Sequence, residues 1–291
     1  MKKIYKLMVA CLMGLTLTNC NDFLDYNPTA VIDEDKAFSE PEKMVNAAYA
    51  MLGDCWFSYP FNLFPYGDIT SDDCLKGGSG TTDTGYHPFE IWSTLTATTP
   101  GEMDELWYRL YCAVSRCNRA LVSLERNGVA KLGSDISEQR IAEVKFLRAH
   151  FYYKLLTVFR QVPWIDEVAY LNNSIEQIPN DEFSYEGLFG KVIADFETAY
   201  NVLPEKQSDG GRVNKIAAAA YLAKCYLGLA WGDGYEATKG VNHINEEYMR
   251  KVVIYTDEVA NSDYDYLEDF GDIFLPDYKN SKESVFAVQC S

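Results

Sequence analysis

Helical periodicity recurs along this chain at short intervals, and each stretch carries more apolar surface than a lone helix can bury. From about Glu102 to Arg126, Leu106, Leu110, Ala113, Cys117, Leu121 and Leu124 make one stripe, with Gly128 placed as a stop. From about Ser137 to Arg160 the apolar residues, Ile141 to Val158, occupy more than one face, so this helix should be central and buried. Ser184 to Leu203, Asn214 to Trp231 and Asn245 to about Asn261 repeat the pattern. The run Ala217–Ala220 suits close approach of a neighbouring helix. These starts recur every 30 to 47 residues, a period that suggests tetratricopeptide-like stacking in which each helix pair buries its face on the next. An earlier helix is expected from Ser39, with Pro41 in its first turn and Glu42 completing a capping box. The alternation of Val285, Ala287 and Gln289 against Phe286 and Val288 reads as strand-like over Ser281–Cys290. The expectation is an all-α array of paired helices, and 47% hydrophobic residues suffice for a full core.

One long insertion interrupts the array. Between Cys55 and Pro100 no helical period survives, glycines are frequent, and nine aromatics stand close in sequence: Trp56, Phe57, Tyr59, Phe61, Phe64, Tyr66, Tyr86, Phe89 and Trp92. Loops this long in compact domains are usually functional. A sugar ring offers an apolar C–H face to an aromatic plane, while its hydroxyls seek carboxylates and amides. Trp92, Tyr86, Trp56 and Tyr66, with Asp68, Asp72, Asp73 and Lys76, supply that mixture. Trp92 leads this set because it sits in a polar stretch outside any helical stripe. The competing reading is that these rings pack the loop onto the core, leaving only polar tips in water.

The N-terminus carries an export signal. Lys2, Lys3 and Lys6 precede an apolar run that ends at Leu17-Thr18-Asn19-Cys20, and no acid occurs before Cys20. The run is shorter than the ~20 residues a spanning helix needs and fits a secretory leader. Leu17, three residues before Cys20, matches a lipoprotein cleavage site, although Asn19 stands where a small residue is usual. The expected organisation is a signal peptide at 1–19, lipidated Cys20 opening an extended tether at 20–38, and a helical domain at 39–291. Acylated Cys20 would exceed the two-signal threshold for stable anchoring. Loss of the three leader lysines takes the formal charge from −17 to −20, which disfavours nucleic acid and anionic lipid surfaces. Lipid is then the membrane contact that remains.

Chemistry-bearing motifs are absent from the sequence. His87, His150 and His243 are scattered, and there is no HExxH, Gly-x-Ser-x-Gly or phosphate-cradling Gly-Lys-Ser/Thr. The clustered aspartates lack a calcium-loop register. Cys112, Cys117 and Cys225 fall inside helices as small apolar groups; a pair between Cys55 and Cys74 is conceivable, but no regular spacing specifies it. No catalysis, metal or cofactor is expected. His150, Asn118, Glu143, Arg148 and Arg212 read as structural, the charged ones seeking partners on other helices.

Several segments resemble a known family when taken in order. They are Cys20-Asn21-Asp22-Phe23-Leu24-Asp25 with Pro28, Ala47-Ala48-Tyr49, Pro65-Tyr66-Gly67-Asp68, Ser71-Asp72-Asp73 and Lys76-Gly77-Gly78. Trp107-Tyr108 with Tyr111 and Asn118, Ala142 through Tyr153 to Val162-Pro163, Gly211-Arg212-Val213, and Glu283-Ser284-Val285-Phe286 follow. Together they resemble the SusD/RagB family of outer-membrane lipoproteins from gut-type Bacteroidetes. The resemblance implies a non-enzymatic, lipid-anchored cell-surface protein. It would bind a nutrient, most often an oligosaccharide, as the lid of a SusC-type TonB-dependent transporter. Members usually continue into a second half, so this chain resembles the N-terminal half. The alternative function is a helical-repeat scaffold that binds only protein partners.

Overall fold

The computed structural model describes residues 34–53, 63–78, 86–93, 102–172, 177–232 and 244–289. Cys20, Trp56 and its neighbouring aromatics, Cys55 and His243 lie outside them. The chain divides into two compact units, 1–37 and 38–291. The helices are α1 (Glu34–Phe38), α2 (Pro41–Tyr49), α3 (His87–Glu90), α4 (Glu102–Leu132), α5 (Ser134–Phe159), α6 (Glu167–Leu171), α7 (Tyr185–Val202), α8 (Lys215–Gly232) and α9 (Glu246–Ala260). In the second unit α4 packs on α5, α5 on α7, α7 on α8 and α8 on α9, while α2 lies against α4. Among the described residues none is in a strand, and no helix is long and apolar enough to cross a membrane. The all-α, paired-helix expectation holds.

Helix starts follow side-chain chemistry. Ser184 accepts from the Gly187 N–H at 3.1 Å, and Asn245 accepts from Glu247 and Tyr248 N–H groups at 3.1 Å each. Each satisfies a backbone donor that a helix end leaves unpaired. Asn214 does so for α8, accepting from Ala217 N–H at 2.8 Å. Its amide nitrogen donates to the Val285 carbonyl at 2.8 Å and to the Tyr264 hydroxyl at 3.0 Å, tying the last described segment to the array.

Four local expectations fail, each for a physical reason. The tether expected to run extended over 20–38 ends in helix α1, Glu34–Phe38, whose Phe38 is buried. Gly128 does not end α4; the helix continues to Leu132, and Gly133 at φ +84 supplies the turn. A Cβ on Gly128 would lie 2.2 Å from Ser137 Oγ, so this glycine permits the close approach of α4 and α5. The capping box before α2 does not form, since Glu40 occupies the cap without a side-chain bond. The Glu42 carboxylate instead accepts from Arg140 (2.9 Å) and Arg212 (2.6 Å). The strand-like tail is irregular: with no partner strand, Phe286 turns inward against Phe146 (6.1 Å) and Gln289 pairs with the Asn280 amide.

Two polar networks join the helices. Glu143, fully buried on α5, accepts from Tyr49 (3.0 Å), Arg140 (2.7 Å) and Arg212 (2.8 Å), linking α2, α5 and the turn before α8. Arg148 on the same helix makes a two-pronged contact with Asp195 of α7 (2.7 and 3.0 Å) and also donates to Asn118 of α4 (3.1 Å) and Glu167 of α6. Burial raises the Asp195 pKa against the pull of Arg148, whereas burial at the less enclosed Glu167 is outweighed by Arg148 and its pKa falls. Asn118 reaches on to the Ile165 carbonyl at 2.8 Å, so it does bridge elements. His150 meets the Tyr221 hydroxyl at 2.7 Å; burial, then Lys154 and Lys224, lower its pKa to about 3 and keep it neutral. Arg148→Met should cost about 3–5 kcal/mol, because Asp195 would remain buried and unpaired. Urea unfolding should show this as a lowered midpoint, partly restored by Asp195→Leu in the same chain.

Candidate functional site

Residues 63–78 and 86–93 form a small structure of their own. Pro65 opens a single π-helical turn, Pro65–Ile69, in which Ile69 N–H reaches back to Phe64 O at 3.1 Å. Such turns are frequent at functional sites. Ile69, Tyr86 and Phe89 are buried together, with Phe64, Tyr66, Cys74 and Met103 of α4 around them. The rings meet edge to face, Phe64 on Tyr86 at 6.5 Å and Tyr66 on Phe89 at 5.2 Å. This satellite core fastens the loop to the first turn of α4.

The packing sorts the residues singled out from sequence. Tyr86 is only 8% exposed and Tyr66 is half-buried, so both rings are used inside the loop, as the packing alternative required. Trp92 is 72% exposed. It also has φ +51, a left-handed conformation that bulky residues avoid. Strain of this kind costs of order 1–3 kcal/mol and concentrates at binding and switch sites. Asp68, Asp72 and Asp73 are exposed, Asp72 at φ +64. Asp73 accepts from Ser71 Oγ at 3.1 Å, and Lys76 Nζ donates to the Gly77 carbonyl at 3.1 Å. Trp56 lies outside the described residues.

Desolvation, then Asp68 and Asp73, push the Cys74 thiol pKa up, and Cys74 is unpaired. His87 faces Glu90 at 3.4 Å. Among the described residues no group of three His, Cys, Asp or Glu side chains is placed to hold a metal.

A second surface feature escaped the sequence reading. Trp107, Tyr111, Val114, Pro163, Ile165 and Tyr170 line a groove of about 330 Å³. Trp107 and Tyr111 stood out in the sequence only through the family resemblance, and the groove exists because the segment after α5 folds back over α4. Tyr111 donates to the Pro163 carbonyl at 2.7 Å, which fixes that fold-back.

Comparison with known proteins decides the family. The model for SusD-like proteins, described as starch-binding and associating with the outer membrane, matches residues 22–227, more than half of the chain. The chain belongs to the SusD-like family. A SusD-like protein of Bacteroides ovatus is 25% identical over 290 residues, covering 98% of this chain and 49% of the relative. A SusD-like protein of Bacteroides fragilis superimposes with a TM-score of 0.66 at 22% identity, covering 89% of this chain and 46% of the other. Surface glycan-binding protein A of Bacteroides thetaiotaomicron, solved with laminarihexaose, gives 0.63 at 23% identity, covering 85% and 48%. The helical array is thus a SusD-like fold, and the chain spans about half the length of these SusD-like relatives.

Phe89→Ala should empty much of the satellite core, where buried Phe→Ala changes cost about 3–5 kcal/mol. The expected outcome is faster proteolysis within 63–93 and unchanged protection of α5 and α7, read by limited digestion and mass spectrometry.

Proposed function

We propose that this SusD-like chain binds an oligosaccharide at the cell surface, with Trp92 as the stacking platform. The observation that carries the reading is an exposed tryptophan held at a left-handed backbone position on a loop anchored by its own small core. Asp68, Asp72, Asp73 and Lys76 stand on the same loop and supply acceptors and a donor for sugar hydroxyls. Tyr66 and Tyr86 act beneath them as supports, and Trp56 belongs to the intervening segment as a further candidate platform. The family description, and the laminarihexaose bound by the Bacteroides thetaiotaomicron relative, support glycan as the ligand class.

Attachment follows from the leader. Cys20 carries the lipid, and the body, at a formal −20 once the leader is lost, stands off anionic surfaces. The protein then acts as the lid of a SusC-type TonB-dependent transporter, handing on ligand without altering it. The aromatic groove at Trp107 and Tyr170 favours a second reading, in which the array binds a protein partner.

Electrophoresis of the soluble chain in gels containing laminarin, xyloglucan or starch separates the two. Retardation by at least one glycan is expected, and Trp92→Ala should weaken it at least tenfold, about 1.4 kcal/mol. Retardation that survives Trp92→Ala would move the site away from this loop. Mobility unchanged by every glycan would leave the protein-partner reading.

A further inference from the structure

Charge on the outer side of α4 runs against that of the chain. The sequence carries 43 acids and 26 basic residues, yet from Leu106 to Leu132 Glu125 stands alone against Arg109, Arg116, Arg119, Arg126 and Lys131. Spacings of seven, three and seven residues place the four arginines along one side of the helix. Arg109 is taken up by Glu105 at 2.6 Å. Arg116 is exposed and donates to the Ala47 carbonyl of α2 at 3.4 Å. Arg126 is exposed over the Phe38 ring, 5.0 Å from its centre. Half-buried Arg119, between them, has no carboxylate partner among the described residues, and its Nε is buried without an acceptor. Lys43, one turn before Ala47 on α2, extends the stripe with a side chain that is 74% exposed, 3.5 Å from Glu40.

The same side of α4 receives the chain from its N-terminal segment. Ser123, one turn after Arg119, donates to the Phe38 carbonyl at 2.7 Å, and Asn127 donates to it at 2.9 Å. Phe38 opens the larger compact unit, and Cys20 lies in the stretch before it. A lipid on Cys20 is therefore joined to the body at the arginine side of α4. Net charge keeps the body off an anionic layer at long range, but salt screens that repulsion beyond ~10 Å at 0.1 M. Once an anchor holds the body close, local charge selects the side that turns inward. Basic side chains are drawn to anionic headgroups, and arginine meets phosphate oxygens with paired bonds. We propose that the outer side of α4, through Arg116, Arg119 and Arg126, faces the membrane and binds the phosphate groups of its lipids. This orientation rests on the reading of Cys20 as the anchor. The acid excess on the remainder of the body is repelled by the same layer and reinforces it.

The test uses the chain expressed with its leader, purified in detergent and reconstituted into vesicles. One set is phosphatidylcholine alone, and the other contains about one-third phosphatidylglycerol. Amines are acetylated briefly and located by mass spectrometry. Lys43 should react at least fivefold slower in the phosphatidylglycerol vesicles than in the neutral ones, and high salt should remove the difference. Lys251, exposed on α9, should react equally in both. Arg116→Glu combined with Arg126→Glu replaces two exposed side chains and should abolish the protection of Lys43. Arg250→Glu combined with Lys251→Glu on α9 makes an equal change of charge and should leave that protection intact. Circular dichroism checks the fold of each variant. Equal reactivity of Lys43 in the two kinds of vesicle would overturn the proposal, as would protection that outlasts the Arg116→Glu and Arg126→Glu pair. A chain that floats with neither kind of vesicle would overturn the Cys20 reading itself, and the orientation with it.

Discussion

A single buried guanidinium holds the centre of this structure. Arg148 reaches four elements at once: Asp195 on α7, Asn118 on α4, Glu167 on α6, and the Trp164 ring 5.6 Å away in the segment before α6. Arginine suits this position because its planar fork meets a carboxylate with two bonds and keeps further donors for other partners. Burying the charge carries a large desolvation cost, offset here by full pairing, so the network specifies arrangement more than it adds stability. Apolar stripes alone would let α5 slide or rotate against α4 and α7. The Arg148 geometry permits one register. The Glu143 cluster repeats the device one turn earlier and brings α2 and Arg212 into the same frame.

Much of this frame was legible in the sequence, for reasons that differ by element. The long helices announced themselves because their apolar periodicity runs over many turns, and Ser184 and Asn245 marked starts through cap chemistry that needs only local neighbours. Gly128 misled because a glycine serving helix–helix approach looks the same in sequence as one that ends a helix; only the position of Ser137 distinguishes them. Glu42 misled because a local cap competed with two arginines, Arg140 and Arg212, that arrive from far along the chain. The tail misled because alternation predicts a strand only where another strand is available to pair. That Arg148 needed a partner on another helix was clear; that the partner is Asp195 was not.

The candidate site shows the same division. Composition identified the loop, and the polar stretch around Trp92 separated it from the helical stripes. Which rings would be spent on the loop's own core was not readable, because Tyr66, Tyr86 and Trp92 are chemically alike until Ile69 and Phe89 are placed between them. The groove at Trp107 and Tyr170 was hidden because its residues are far apart in sequence, and the concavity comes from the chain folding back. Function and fold then connect simply. A rigid array, ordered by buried charge, presents a small loop whose own core keeps one strained tryptophan facing solvent.

Hydrogen exchange across the soluble chain, with and without laminarihexaose, tests that connection most directly. Slow exchange is expected in α5 and α7 in both states, with glycan-induced protection concentrated in residues 63–78 and 86–93. Protection that appears at α4 and α6 while the loop stays unchanged, or a loop that exchanges as slowly without sugar as with it, would rule out the loop as the glycan site.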